Sequence, residues 1–404
     1  VTRSADSRSS GSAAAASALP TAYPSAVPVL TDGVVTLRAL RRKDADLLVE
    51  LANDEEVLRW TTIPRPYRKA DGLRRVAAVR EMWEDPHADR VWAIDWTDTE
   101  GTTRFAGQVD LRPRAGRTAE IGYVLHPAAR GEGIMARAVR LVAQHGFAEG
   151  IGSGPLTRIH WSAVVGNFPS RRVAWACGFA FHGTIPQSGP GYPGPDGEVV
   201  VRDHWYASLS PHAAMVPATA WLDIPVLEAN GIRLRPWRDG DADTTEPLAN
   251  PSHHMPLGSA PDDLTFEHWL LVRRERAAAG EGIAWCIADE RTDAALGAVM
   301  VFAHGAPISE PGAEIGYFLY PSARGRGVAT AAGDLAVEYA FTPRHEGGLG
   351  LSRLSAITAS DNIASNSVLE RLGFVRWGVE HATDRLPDGT WADAYHWELL
   401  REHR

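Results

Sequence analysis

Positive charge is in short supply in this chain. Lys and Arg number 41 against 50 Asp and Glu, a net charge of −9, and a surface of that sign is no platform for nucleic acid. It weakly favours cationic ligands and otherwise serves solubility. Cysteine is scarcer still. Cys177 and Cys286 are the only two, set in the apolar strings Ala-Trp-Ala-Cys-Gly-Phe and Ala-Trp-Cys-Ile-Ala. They read as small buried hydrophobes rather than as a disulfide or a metal site. Long apolar runs are missing too: none approaches the roughly 18–20 residues that span a bilayer. The Ala13 to Ala16 stretch is too weak to be the apolar core of a signal peptide. No Gly-Lys dipeptide occurs, which excludes a Walker phosphate loop. The expectation is a cytoplasmic protein with no membrane, nucleic-acid or metal partner.

What is present is a repeat. Ala119-Glu120-Ile121-Gly122-Tyr123-Val124-Leu125 leads into Arg130-Gly131-Glu132-Gly133-Ile134-Met135, and Ala313-Glu314-Ile315-Gly316-Tyr317-Phe318-Leu319 leads into Arg324-Gly325-Arg326-Gly327-Val328-Ala329. Each copy reads as a strand, a turn, a glycine loop and a helix. The glycines let the backbone turn without a Cβ in the way. The helix that follows begins with unpaired N–H groups and a positive dipole end, a place for an anion.

Further landmarks keep step. Leu37-Arg38 and Asp44 match Leu234-Arg235 and Asp241, Trp92 matches Trp285, Gly107 matches Gly297, Asn167 matches Asn362, Ser170 matches Ser365, and Gly178-Phe179 matches Gly373-Phe374, always 190 to 197 residues apart. A period of that size is a domain duplication, not a solenoid unit. The expected layout is a disordered Ser/Ala-rich tail over 1–28, a domain over 29–210, a linker over 211–221 and a second domain over 222–404. The linker is short, so the halves are expected to pack on each other as a pseudo-dimer. Each half should run strand, helical pair, three strands, glycine loop and helix, strand, helix, two strands. The helix residues Val328, Ala332, Leu335 and Tyr339, and Ile134, Ala138, Leu141 and Val142, recur at core-facing spacing. The Gly/Pro-rich loop from Gln187 to Pro195 either covers a substrate or is an idle surface loop.

Glu-Ile-Gly-Tyr, Arg-Gly-x-Gly, Asn-x-x-Ser and a closing Gly-Phe, in this order and twice in one chain, resemble the GNAT superfamily of acyl-CoA N-acyltransferases, in its RimJ/RimL branch. The resemblance covers nearly everything after the tail and is fuller in the second half. It implies an α/β (mixed α+β) fold of two tandem domains, each a mixed, mostly antiparallel sheet flanked by helices. It also implies transfer of an acetyl group from acetyl-CoA, or another acyl-CoA, to an amine. The acceptor is a small-molecule amine, with a protein N-terminus as the alternative. A non-catalytic CoA-binding or sensing protein is the second alternative. A rival fingerprint, Gly131-x-Gly133-x-x-Ala136, would bind a dinucleotide but needs an acidic residue about 20 positions on at a strand end, and neither copy supplies it.

The resemblance assigns roles residue by residue. Amides of Gly325, Arg326, Gly327, Val328 and Ala329, with the charge of Arg324, would hold the coenzyme diphosphate, as would Arg130, Gly131, Gly133, Ile134 and Met135 in the first half, with Arg137 nearby. Met135 stands where the family motif more often has Gly or Ala. Phe318 and Val124, followed by Leu319 and Leu125, line the thioester, with a strand N–H as oxyanion donor. Glu314 and Glu120 are the candidate bases, because an amine of pKa near 10.4 is only about 0.04 % neutral at pH 7; their other reading is a structural hydrogen bond. Ser365 and Ser170, or a nearby Tyr, lie close to the sulfur, though a Ser here also reads as a helix N-cap. Asn362 and Asn167 bond the pantetheine arm or are turn residues. His253 and His254 read as a loop without metal-ligand spacing, and Trp269, with Trp83 as its counterpart, as facing an acceptor cleft.

Overall fold

Strand-prone and helix-prone stretches alternate in the same order in each half, and the computed structural model gathers them into two eight-stranded sheets. It describes residues 27–152, 154–193, 198–248, 250–251, 253–255, 260–261, 265–386 and 388–404. The expected tail, up to residue 26, lies outside the described residues. The chain divides into two compact units at Ala218/Thr219. Pro28 already belongs to the first unit, since its carbonyl accepts from Trp92 Nε1 at 3.0 Å; Pro225 and Trp285 repeat the bond in the second unit.

In the first unit the strand order is Leu30–Thr31, Val35–Arg38, Arg90–Thr97, Thr103–Arg114, Thr118–Leu125, Arg158–Val164, His204–Leu209, Ala180–Ile185. In the second it is Leu227–Ala229, Ile232–Pro236, Gly282–Asp289, Ala295–Phe302, Gly312–Leu319, Arg353–Ala359, Trp391–Leu400, Val375–Arg385. Every pairing is antiparallel except one in each sheet, where Thr118–Leu125 meets Arg158–Val164 and Gly312–Leu319 meets Arg353–Ala359. Both sheets are mixed and mostly antiparallel, flanked by helices.

The parallel pair is where the site is made. Its register holds for three residues only, Gly312↔Arg353 to Glu314↔Ser355, and in the first unit Thr118↔Arg158 to Glu120↔His160. Beyond Glu314 and Glu120 the two strands part, and the edge that opens carries backbone groups with no strand partner. Each splayed strand stays paired on its other side: Glu314 to Leu319 pair with Phe302 to Gly297, and Thr118 to Leu125 pair with Arg114 to Gly107. Gly297 in that partner has φ +150°, and a Cβ there would stand 2.2 Å from the Phe318 carbonyl, so only glycine lets the strands approach.

Helices Ile134–Ala148 and Val328–Phe341 follow the glycine loops. Val328, Ala332, Ala336, Val337 and Ala340 are buried on one side in a core that holds the fully buried Trp285. Truncating such a Trp to Ala costs about 3–5 kcal/mol. The matching Arg38 and Arg235 are buried ion-pair hubs: Arg38 grips Asp44 at 2.7 Å and Asp95 at 2.5 Å, and Arg235 grips Asp241 at 2.8 Å and Asp293 at 3.0 Å. Both cysteine thiols are buried, and burial pushes each up to about 12, which leaves them unreactive.

Two expectations need correction. Among its described residues the second unit does not repeat the helical pair. The first unit has Ala45–Ala52, Glu55–Trp60 and Lys69–Met82, whereas the second has, among the described residues, a 3₁₀ segment Asp239–Thr244 and one α-helix, Phe266–Ala279. Pro247 and Pro251 fall where a helix would have to continue. Trp269 and Trp83 do not face a cleft. Trp269 is 4 % exposed and packs edge-on against Trp237, and Trp83 is 6 % exposed and bonds the Val91 carbonyl. Large aromatics at helical spacing are core before they are contact surface.

Candidate functional site

The second unit encloses a groove of about 1430 Å³ along the splayed edge. Glu314 to Leu319 form one wall, Arg324, Gly325 and Gly327 to Thr330 one end, and Asn362, Ser365 and Val368 the other wall. Residues scattered over 50 positions of sequence therefore meet because one strand stops pairing at Glu314 and both helices that follow start at the same opening.

At the glycine loop, Gly325 and Gly327 take φ +72° and +78°, and in the first unit Gly131 and Gly133 take +85° and +70°. A Cβ at any of them would meet open space, so the left-handed backbone, not crowding, demands glycine. No side chain caps helix Val328–Phe341 or Ile134–Ala148. Their first-turn amides have no intrahelical acceptor and point to the loop.

The loops differ in charge. Arg324 Nη2 bonds the neutral Asn250 Oδ1 at 2.8 Å and the Leu319 carbonyl at 3.2 Å, so no carboxylate among the described residues cancels its charge, and the exposed Arg326 adds a second. In the first unit Arg130 is ion-paired with Asp54, Glu132 stands where Arg326 does, and Arg137 is 3.1 Å from Asp32. Burial, the largest influence, pushes Asp54 up, but the hydrogen bond and charge of Arg130 together with the Val57 and Glu56 amides outweigh it and hold the carboxyl low.

The Asn-x-x-Ser turn resolves the two readings of its serine. Asn362 Oδ1 accepts from the Ser365 amide at 3.2 Å, and Asn167 does the same for Ser170. The asparagine is the N-cap, so the serine hydroxyl is free for other work. Ser365 Oγ lies 3.0 Å from Tyr317 Oη, which also donates to the Ser365 carbonyl at 3.1 Å; Ser170 Oγ and Tyr123 Oη are 3.2 Å apart. Burial pushes the Tyr317 phenol up to about 12 against the Ser365 bond, and Tyr123 is raised in the same way. Both phenols hold their protons at neutral pH. The tyrosines are the residues the sequence reading left without a number, although Tyr stands in both Glu-Ile-Gly-Tyr strings.

The two glutamates share a place and not a setting. Glu120 is bonded by Arg114 Nη2 at 2.5 Å and by Ser162 Oγ at 3.1 Å; burial raises the carboxyl, and these two donors outweigh it and hold it below the ordinary value. The matching positions beside Glu314 are His304, 3.3 Å away, and the exposed Ile357.

Ahead of the asparagine cap the units diverge again. In the first, Trp60 reaches 3.5 Å from where a Cβ on Gly166 would lie. The buried Tyr192 of the Gly191–Pro193 strand sits under the Arg202 guanidinium, 4.5 Å from ring centroid, and Arg202 donates to the Arg59 carbonyl at 3.0 Å. The described part of the 187–195 loop is thus docked on the Trp60 helix; residues 194–197 lie outside the described residues. In the second unit Asp361 replaces Gly166 and bonds His253 and His254. The two histidines lie in a loop, as read, but a carboxylate 107 positions away completes a donor set that sequence spacing could not reveal.

A family model described as Acetyltransferase (GNAT) domain matches residues 35–180 and again 232–375. Among curated relatives, "Probable N-acetyltransferase YjcK" of Bacillus subtilis (strain 168) is 39 % identical over 79 residues, 20 % of this chain and 40 % of that protein. "Putative ribosomal N-acetyltransferase YdaF" of the same organism is 29 % identical over 153 residues, 37 % of this chain and 79 % of that protein. Among solved structures, Mycobacterium smegmatis RimJ in complex with CoA-disulfide aligns at TM-score 0.39 and 22 % identity, covering 48 % of this chain and 94 % of that one. The Microcin C7 self immunity acetyltransferase MccE, in complex with acetyl-CoA and AMP, aligns at TM-score 0.38 and 22 % identity, covering 44 % and 93 %.

Proposed function

The chain belongs to the acetyltransferase (GNAT) domain family, carrying the domain twice, and from that premise we propose that it moves an acetyl group from acetyl-CoA to a primary amine, with the second unit as the working copy. The observation that carries this is the single groove that joins an uncancelled cationic glycine loop, free helix-start amides, the Asn362 and Ser365 turn and Glu314.

The coenzyme diphosphate rests on the amides of residues 325–330 beside Arg324 and Arg326. The pantetheine arm runs along the opened edge, with the Asn362 amide nitrogen as a donor. Glu314, directly or through a water, takes a proton from the incoming ammonium. The amine nitrogen then attacks the thioester carbon. The oxyanion that forms accepts a hydrogen bond from a strand amide near Phe318. The C–S bond breaks, the electron pair leaves on sulfur, and the thiolate takes up, by way of the Ser365 hydroxyl beside Tyr317, the proton that the new amide nitrogen sheds. Products are the amide and free CoA thiol.

The acceptor we favour is a small cationic amine, on the net charge of −9 and the carboxylate at the groove. A protein N-terminus is the second reading, supported by the relative named as a ribosomal N-acetyltransferase. The test incubates the full chain with acetyl-CoA and a mixed library of amines and N-terminal peptides, following thiol release and reading products by mass spectrometry. Acetylated amine with stoichiometric thiol is expected. Absence of any acyl-CoA binding by calorimetry would end this reading.

A further inference from the structure

Adjacent side chains in an extended chain point to opposite sides. His253 and His254 do not, because a turn closed by the His254 amide on the Pro251 carbonyl, at 3.0 Å, swings both rings together, with centroids 4.4 Å apart. Both aim Nε2 at one carboxylate, His253 at 2.8 Å from Asp361 Oδ2 and His254 at 3.0 Å from Oδ1. The imidazoles are 8 % and 18 % exposed, whereas the carboxylate, at 52 %, leaves the group open on one side. Among the described residues this is the one group of three His, Cys, Asp or Glu side chains whose ligand atoms all lie within 4.8 Å of one another.

We propose that His253, His254 and Asp361 bind a divalent transition ion of the zinc class, which clips the two histidines to the start of helix Ile363–Arg371. Two imidazole nitrogens and one carboxylate oxygen, with a fourth position open, form a donor set that such an ion accepts. Metal–ligand bonds of about 2.0–2.2 Å place neighbouring donors roughly 3.3 Å apart in a tetrahedron. The 2.8 Å from His253 Nε2 to Asp361 Oδ2 needs to widen by only a few tenths of an ångström, and one ligand atom from each of the three residues lies within 4.8 Å of the others. Each Nε2 offers its lone pair once its proton sits on Nδ1. The site belongs to the second unit alone: Gly166 and Trp60 occupy the corresponding corner of the first. An ion there ties together residues that line the groove, where Asn250, the partner of Arg324, also lies. The ion is a structural clip and takes no part in the transfer step, so the claim stands or falls separately from the acetyl-transfer reading.

The test uses the full chain, stripped with chelator and titrated calorimetrically with zinc chloride, alongside Asp361→Asn and His254→Gln. Wild type should bind one equivalent, not two, with a rise in melting temperature and, with cobalt(II), the visible bands of a tetrahedral N/O site. Both variants should lose that equivalent or bind more than about tenfold more weakly, while melting like wild type in chelator, which separates a lost ligand from a lost fold. Retention of the same stoichiometry and affinity by both variants would assign the binding to other histidines and overturn the proposal. So would no binding by wild type, which would leave the three side chains as a hydrogen-bonded group only.

Discussion

The first glycine loop, Arg130 to Met135, and the second, Arg324 to Ala329, have the same backbone and opposite electrostatics. Both have a pair of left-handed glycines and an uncapped helix start. The first pairs its arginine with Asp54 and adds Glu132; the second leaves Arg324 on a neutral amide and adds Arg326. The same contrast runs through the glutamates, where Glu120 is locked by Arg114 and Ser162 and Glu314 faces only His304 among the bonds described. A duplicated fold thus keeps its frame while the charges around the frame differ, and the proposed function predicts that this difference sets which copy holds the diphosphate and which accepts a proton. On the proposed reading, the second unit is the one that turns over and the first supports it.

The sharpest break of that comparison is a carboxylate placed at each helix start. Gly327→Glu puts an anion where the diphosphate belongs and forces φ +78° on a residue with a Cβ. The strain alone is about 1–2 kcal/mol, and with the repulsion the rate of thiol release should fall by more than about a hundredfold. Gly133→Glu carries the same strain in the first unit and should leave the rate within about threefold. Equal losses from the two would sink the division of labour. Next in size is the proposed base. Glu314→Gln should lower kcat by about 10²-fold or more with little change in KM for acetyl-CoA. Glu120→Gln should leave kcat alone, as read by steady-state kinetics on whichever amine the library identifies.

These contrasts show what was legible in the chain. The duplication, the sheet class and the glycine loops were readable because they rest on local strings: a φ that only glycine tolerates, a helix that begins where its amides are free, a strand of β-branched and aromatic residues. The serine's setting was not, because whether Asn362 or Ser365 caps the helix depends on a hydrogen bond, and both residue types cap well. The burial of Trp269 was missed because a helix face has no label for what lies against it. Asp54, Arg114 and Asp361 were invisible as partners because each meets its counterpart across the fold or sheet, and sequence distance says nothing about that.

A gentler way to sharpen the comparison exchanges the loop charges. Arg326→Glu should raise KM for acetyl-CoA about tenfold, and the increase should shrink as salt is added, because the contact is solvent-exposed. Glu132→Arg should strengthen coenzyme binding to the first unit by less than that, since Asp54 still cancels Arg130. Two classes of site in calorimetry, the weaker one tightened by Glu132→Arg, is the expected record. A single class indifferent to both changes would remove charge from the explanation.

The smallest effect concerns the lock on Glu120. Its carboxyl is held below the ordinary Glu value, since the donors Arg114 and Ser162 outweigh the upward push of burial. A depressed carboxyl binds fewer protons in the folded chain than in the unfolded one, so its stabilisation is fully present above the unfolded value, about 4.3, and is lost as pH falls through the folded value. Arg114 is 54 % exposed, which keeps the ion pair to about 0–1 kcal/mol. Arg114→Ala should therefore lower the stability of the first unit slightly at pH 7, and the gap to wild type should close as pH drops below about 4. Urea melts of both proteins across that range measure the gap. A gap that stays constant with pH would mean that Arg114 acts through packing, and the contrast between Glu120 and Glu314 would lose its electrostatic cause.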